Sequence, residues 1–102
     1  MNTVNREILL SFWKVHILHH ANEEPIHGQW ILTELRRHGY EISPGTLYPL
    51  LNAMEQRGYL KSRKQRGGRT ARKLYRATPL GRKGLALAKT RLKEFTGEAM
   101  KD

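Results

Sequence analysis

The stretch SPGTLYPLLNAMEQRGYL, residues 43–60, constrains the fold of this chain more than any other segment. Ser43 is a good N-cap, because its hydroxyl can accept from a free N–H of the first turn. Pro44 suits the first helical position, where a missing N–H is no loss. Leu47, Leu50, Leu51 and Met54 then follow the i, i+3, i+4, i+7 rule and give the helix one core face. Gly58 ends it. The spacing therefore predicts a helix over about 43–57 with a polar opposite face. Pro49 is the anomaly, since its absent N–H leaves the carbonyl of Gly45 without a helical partner. That is tolerable only where water or another donor reaches the carbonyl, so this face of the helix has to be wet.

The flanking elements are read in the same way. A first helix is expected from Val4 to about His20, with Ile8, Leu9, Leu10, Phe12, Trp13, Val15, Ile17 and Leu18 covering nearly its whole circumference. A helix that is apolar all round must be buried on two sides. In so short a chain a second subunit is the easiest cover. After the polar connection 21–25, which ends at Pro25, a second helix runs from His27 to about His38, with Ile31 and Leu35 inward and Trp30 near them. Gly39 is its natural stop. Two strands, Tyr59–Lys64 and Arg72–Thr78, flank residues 66–70, where Gly67 and Gly68 allow a tight reversal. Tyr75 and Ala77 share one face of the second strand, opposite Leu74 and Arg76. Thr78 caps a last helix with Pro79 at its first position. Its apolar residues Leu85, Ala88, Leu92 and Phe95 are spaced three, four, three, the a/d seam of a coiled coil. Gly81 and Gly84 permit close helix approach, and fraying is expected from about Thr96. The fold class is mainly α with a small β-hairpin. Residues 1–78 form the helix-and-hairpin domain, and 79–102 a C-terminal helix with a short tail.

Charge narrows the function. The 102 residues carry a formal net charge of +10, unevenly spread. Residues 1–55 hold four basic residues against six acidic ones, whereas Arg57 to Lys93 holds fourteen Lys or Arg and no acid. An evenly solvated surface would mix the signs, so the asymmetry points to a polyanionic partner. Nucleic acid leads, and an anionic membrane surface comes second. No apolar run reaches 18 residues, which argues against a membrane span. The apolar segment Glu7–Leu18 is broken by Ser11, Lys14 and His16 and lacks a basic leader, unlike a signal peptide. Without cysteine there is no disulfide, thiolate zinc site or iron–sulfur cluster, and a reducing cytoplasmic setting fits.

Helix, helix, helix, hairpin, helix is the order of a winged helix-turn-helix. A helix is about 10–12 Å across with its side chains, and the B-DNA major groove is about 12 Å wide. The amino end of the third helix can therefore enter it, aiming free N–H groups at phosphate, while the basic hairpin follows the backbone or a minor groove. The runs ISPGTLYPLL (42–51), EQRGYL (55–60) and KLYRATPLG (73–81), with Gly28 near the start of the second helix, resemble the PadR family of bacterial transcriptional regulators. The resemblance covers about residues 7–95, and the single terminal helix matches the short branch of the family. It implies a homodimer that binds double-stranded DNA at an inverted-repeat operator, usually as a repressor. Dimerisation would set the last helix against the partner's first helix, through Leu9, Phe12, Trp13, Leu85, Ala88, Leu92 and Phe95. The resemblance further implies release of DNA by a small aromatic or drug-like effector, for which Trp13, Trp30 and Phe95 are candidate lining residues. Carried over by position, Ser43, Thr46, Tyr48 and Asn52 face DNA from the recognition helix. Ser43 and Thr46 would donate to phosphate, and Asn52 would read an adenine edge. Arg66, Arg69, Thr70, Arg72 and Lys73 form the wing contacts, joined by Lys61 and Arg63 if strand alternation turns them the same way.

Plainer readings compete. Tyr48 could rest on the rim of the core, and Trp13 and Trp30 could be ordinary packing residues. His16, His19 and His20 have metal-ligand spacing, but the sequence offers no second ligand cluster, so no metal or cofactor is expected. Glu41 and Glu55 form no evident carboxylate pair, and no nucleophile elbow or phosphate loop is present, so enzymatic activity is not expected. The alternative function is an architectural or RNA-binding protein that uses its basicity without reading sequence.

Overall fold

A computed structural model describes residues 3–65 and 72–100. Helix α1 spans Thr3–Glu23, strand β1 Ile26–His27, helix α2 Gly28–Arg37, helix α3 Pro44–Gln56, strands β2 and β3 Leu60–Gln65 and Arg72–Ala77, and helix α4 Pro79–Ala99. The strands form one antiparallel sheet in the order β1-β3-β2.

The helix boundaries follow the caps. Ser43 Oγ accepts from Thr46 N–H at 3.3 Å with Pro44 behind it. Thr78 does the same for Gly81 N–H at 3.0 Å, with Pro79 at the first position of α4. Both helices of the central pair end on a left-handed glycine, Gly39 (φ 95°) and Gly58 (φ 86°). At each end the residue after the glycine closes the last turn: Tyr40 N–H reaches Leu35 O at 3.1 Å, and Tyr59 N–H reaches Met54 O at 2.9 Å.

Three boundaries differ from the sequence reading. His27 is extended rather than helical and belongs to β1, because Ile26 buries itself opposite Tyr75 of β3. Helix α1 runs on past His20 to Glu23, since Ala21 still faces the core and nothing stops the helix before Pro25. Helix α4 continues past Thr96 to Ala99, with Met100 N–H bonded to Thr96 O at 2.9 Å.

Trp13, Ile17, Ile31, Leu35, Leu47, Leu51 and Leu60 have side chains fully removed from solvent, and Leu50 and Met54 complete the buried face of α3. On α1 the core stripe is Trp13, Ile17 and Ala21, each one turn from the last. A second stripe, Ile8 and Phe12, is left exposed. The first turns of α4 join the same core. Gly81 is buried so closely that a methyl group on it would meet the backbone oxygen of Tyr59 at 2.2 Å, whereas Gly84 faces open space. Leu85 is buried as well. Trp13 and Leu85, expected at a subunit interface, thus lie inside the protomer and offer nothing to a second chain. Leu9 and Ala88 are half-buried, and Phe12, Leu92 and Phe95 remain exposed.

Candidate nucleic-acid interface

Helix α3 turns Ser43, Tyr48, Pro49 and Asn52 to solvent, with Thr46 half-buried beside them. Pro49 sits inside the helix on this exposed face, which is where the missing hydrogen bond to Gly45 can be met by water. Above Gly45 the space is open apart from Ser43 Oγ. A groove of about 790 Å³ runs between Tyr48, Pro49 and Asn52 of α3, residues His27, Gly28 and Gln29 at the start of α2, and Arg72, Lys73 and Tyr75 of β3. Tyr48 is 42% exposed, yet its ring is seated: a methyl group on Gly28 would stand 2.5 Å from Cε1.

The wing is clamped to α3. Ser62 N–H donates to Glu55 Oε2 at 3.0 Å, and the Ser62 hydroxyl donates to the same oxygen. Thr78 Oγ1 donates to the carbonyl of Gly58, and Thr78 N–H to Tyr59 O at 3.1 Å, which closes the base of the hairpin. Tyr75 forms part of the groove wall. Burial first, and then the negative charge of Glu55 and Tyr48, push its phenol above the ordinary value.

Register decides which cations share this face, because directly opposed residues of an antiparallel pair lie on the same side. Leu60 pairs with Ala77, Ser62 with Tyr75 and Lys64 with Lys73, which sets the two lysines on the α3 side. Lys61 pairs with Arg76 and Arg63 with Leu74. Lys61 and Arg63 therefore point to the back of the sheet, away from α3, and do not join the face shared by Tyr48 and Lys73. Arg66, Arg69 and Thr70 lie outside the described residues. Among the described residues, contacts between basic and acidic side chains all fall within α1, within α2 and its cap, or between the two. The cations of the strands and of α4 take part in none of them.

The residues proposed to line an effector site do not meet within one protomer. Trp13 is buried edge-on against Tyr40, with centroids 6.3 Å apart. Trp30 borders a shallow hollow of about 450 Å³ with His20, Ile26 and Glu34, and Phe95 projects from α4 into solvent.

The sequence over residues 17–87 matches the model of the transcriptional regulator PadR-like family. The chain belongs to that family. It is 44% identical over 95 residues to the transcriptional regulator Rv3488 of Mycobacterium tuberculosis, covering 93% of this chain and 89% of that one. A PadR family regulator from Eggerthella lenta is 27% identical, superposes with a TM-score of 0.78 and covers 96% of this chain and 90% of its own. The same fold recurs in a PadR-like regulator from Bacillus cereus, with a TM-score of 0.83 at 24% identity, covering 93% and 94% of the two chains. The protein is thus a winged-helix transcriptional regulator, not an enzyme. The span that defines it as PadR-like holds the helix-turn-helix, the wing and the first two turns of α4. The exposed apolar residues Ile8, Phe12, Leu92 and Phe95 all fall outside that span.

At the start of α2 the groove residues His27 and Gln29 escaped the sequence reading, and the role of Gly28 was not seen. Gly28 was noticed as part of the PadR pattern, but its contact with Tyr48 bridges twenty positions. Gln29 is exposed at the mouth. His27 borders the groove and has a buried Nδ1 with no hydrogen-bond partner. The signal available for both was their place immediately after Pro25, where the first turn of α2 had to begin.

Proposed function

We propose that this PadR-family protein is a homodimeric repressor that reads double-stranded DNA at an inverted repeat. The observation that carries the reading is the groove in which Tyr48 and Asn52 of α3 stand beside Lys73 of the wing. Ser43, Thr46 and the start of α3 approach phosphate, Tyr48 and Asn52 meet base edges, and Lys64 and Lys73 hold the flanking backbone, with Arg72 at the groove's edge. Arg66, Arg69 and Thr70, which lie outside the described residues, are assigned to the same backbone contacts on sequence alone. Phe12, with Ile8 and Leu9, meets Ala88, Leu92 and Phe95 of a second copy, since these side chains of α1 and α4 are among those that one protomer leaves wholly or partly uncovered. We place a small aromatic effector between protomers, since Trp30 borders its own shallow hollow and Phe95 projects from α4 into solvent. Such a regulator works in the cytoplasm, and no helix among the described residues is long and apolar enough to cross a membrane.

The test is selection of bound fragments from genomic DNA, followed by titration of the recovered site against salt. An inverted repeat should be enriched, and with about eight phosphates neutralised the log–log slope should be about −7. Enrichment of no common sequence would instead favour an architectural protein. A Phe12→Glu variant should sediment as a monomer and lose the operator while keeping its fold.

A further inference from the structure

DNA binding leaves unused a cluster of imidazoles on the far side of the helix-turn-helix. His16 and His20 lie one turn apart on α1, and His38 is the residue that caps the end of α2. Each offers a ring nitrogen within 4.8 Å of the other two. The rings of His16 and His38 are 5.0 Å apart between centroids, and those of His16 and His20 are 6.4 Å apart and nearly parallel at 19°. Glu34 stands at the rim, its Oε2 3.6 Å from His20 Nε2 and 3.2 Å from His38 Nε2. Three ring nitrogens from two helices converge beside one carboxylate. We propose that His16, His20 and His38 form a binding site for a divalent transition-metal ion.

The chemistry selects the ion class. Imidazole ligands suit Zn²⁺, Ni²⁺ and Cu²⁺, whereas Mg²⁺ and Ca²⁺ need oxygen. Nitrogens at about 2.0–2.1 Å from a tetrahedral zinc stand about 3.4 Å from one another, so nitrogens within 4.8 Å of each other need close by at most about 1.4 Å. None is locked: His16 and His20 are half-buried and His38 is exposed, so side-chain rotation supplies the movement. The i, i+4 pair on α1 has the spacing by which two helical histidines share one ion. Arg37 already holds both carboxylate oxygens of Glu34, at 2.9 Å each, so we assign Glu34 outside the shell, as the negative charge beside it. A second group, His19, His20 and Glu23, shares His20 but draws on α1 alone. There Glu23 Oε1 is 2.9 Å from His19 Nε2 on the exposed side of the helix. The site with His38 is preferred because it joins two elements that are already packed together. An ion there ties α1 to the end of α2 next to Tyr40, whose ring is 5.5 Å from that of His16 and whose backbone begins the turn into α3.

The experiment uses the full chain, stripped with a chelator and then titrated with Zn²⁺, Co²⁺ or Mg²⁺. One Zn²⁺ should bind per chain, and a hundredfold excess over Kd should raise Tm by on the order of 10 °C. Co²⁺ should give the visible absorption of a nitrogen-ligated site, and Mg²⁺ should do neither. His16→Gln, His20→Gln and His38→Gln should each weaken Zn²⁺ by about tenfold or more, while His19→Gln should leave it within about twofold of the parent. His38 is exposed, so His38→Gln keeps the fold and decides the matter even if a change at His16 does not. Wild-type affinity in His38→Gln, a large loss in His19→Gln, or no Zn²⁺ effect on the parent would each overturn the proposal.

Discussion

Replacing Gly28 by alanine should detach Tyr48 from its seat and weaken operator binding without unfolding the protein. The new methyl group would stand 2.5 Å from Cε1, 3.2 Å from Cζ and 3.3 Å from Oη of Tyr48. Ordinary carbon–carbon contact is about 3.5–4.0 Å, so the ring has to withdraw by about 1 Å or more. Its freedom to do so lies on the solvent side, because 42% of Tyr48 is exposed there and Leu47 and Leu51 hold the backbone on the other. The stability change is a small difference. Alanine gains up to about 1 kcal/mol over glycine in a helix, and the displaced ring gives up part of a contact worth a similar amount. Tm should therefore move by only a few degrees. Binding is another matter, because a base contact is worth about 1–3 kcal/mol, or about 5- to 150-fold in affinity.

Fluorescence anisotropy on the selected operator and on a random duplex at one salt concentration measures both numbers. Gly28→Ala should cost operator affinity and leave the random duplex nearly unchanged. Tyr48→Ala should cost about the same, and the double variant should be no weaker than Tyr48→Ala alone, because both changes remove one interaction. Two results would refute the reasoning. One is operator affinity within twofold of the parent in Gly28→Ala alongside a full loss in Tyr48→Ala. The other is simple additivity of the two changes.

Gly81→Ala should cost stability, because the clash is with the backbone oxygen of Tyr59 and no side chain can move aside. About 1–3 kcal/mol is expected in chemical denaturation, while Gly84→Ala, which meets nothing within 4 Å, should be neutral or slightly stabilising. Glu55→Ala should leave Ser62 N–H without its acceptor and cost about 1–3 kcal/mol, read as earlier amide exchange in β2 than in α3. The raised phenol of Tyr75 favours the fold while it is neutral. Its contribution is complete below about pH 10 and is lost as pH climbs through the folded value. Denaturation midpoints between pH 8 and 11 should therefore fall more steeply in the parent than in Tyr75→Phe.

How much of this was legible in the sequence depended on how local each cause was. The caps at Ser43 and Thr78, the stops at Gly39 and Gly58 and the leucine stripe of α3 act within one or two turns, and the chain spells them out. Strand β1 does not follow from local rules. Two residues have no periodicity, and Ile26–His27 is a strand only because β3 presents an edge to it. The orientation of α1 was hidden for the opposite reason. With apolar residues on every side, nothing local distinguishes the Trp13, Ile17, Ala21 stripe from Ile8 and Phe12, and the packed neighbours make the choice. Lys61 and Arg63 are a different case, because the signal was present. Leu60 is the apolar residue of its strand and had to face the core, which turns Ser62 inward and Lys61 and Arg63 out.

The groove and the imidazole cluster are long-range features built from short-range parts, and that explains why one half of each could be read. Tyr48 stood out by its place on a helix face that Pro49 keeps wet, but its seat, Gly28, comes from a helix that starts twenty residues earlier. His16 and His20 stood out by their spacing, but His38 comes to them only because Gly39 stops α2 at that point and its last turn ends against α1. Helix α2 is therefore the common frame. Its first residue sets the aromatic ring of the groove, and its cap supplies the third imidazole. The two sites sit at opposite ends of ten helical residues, buried along one side through Ile31, Leu32 and Leu35.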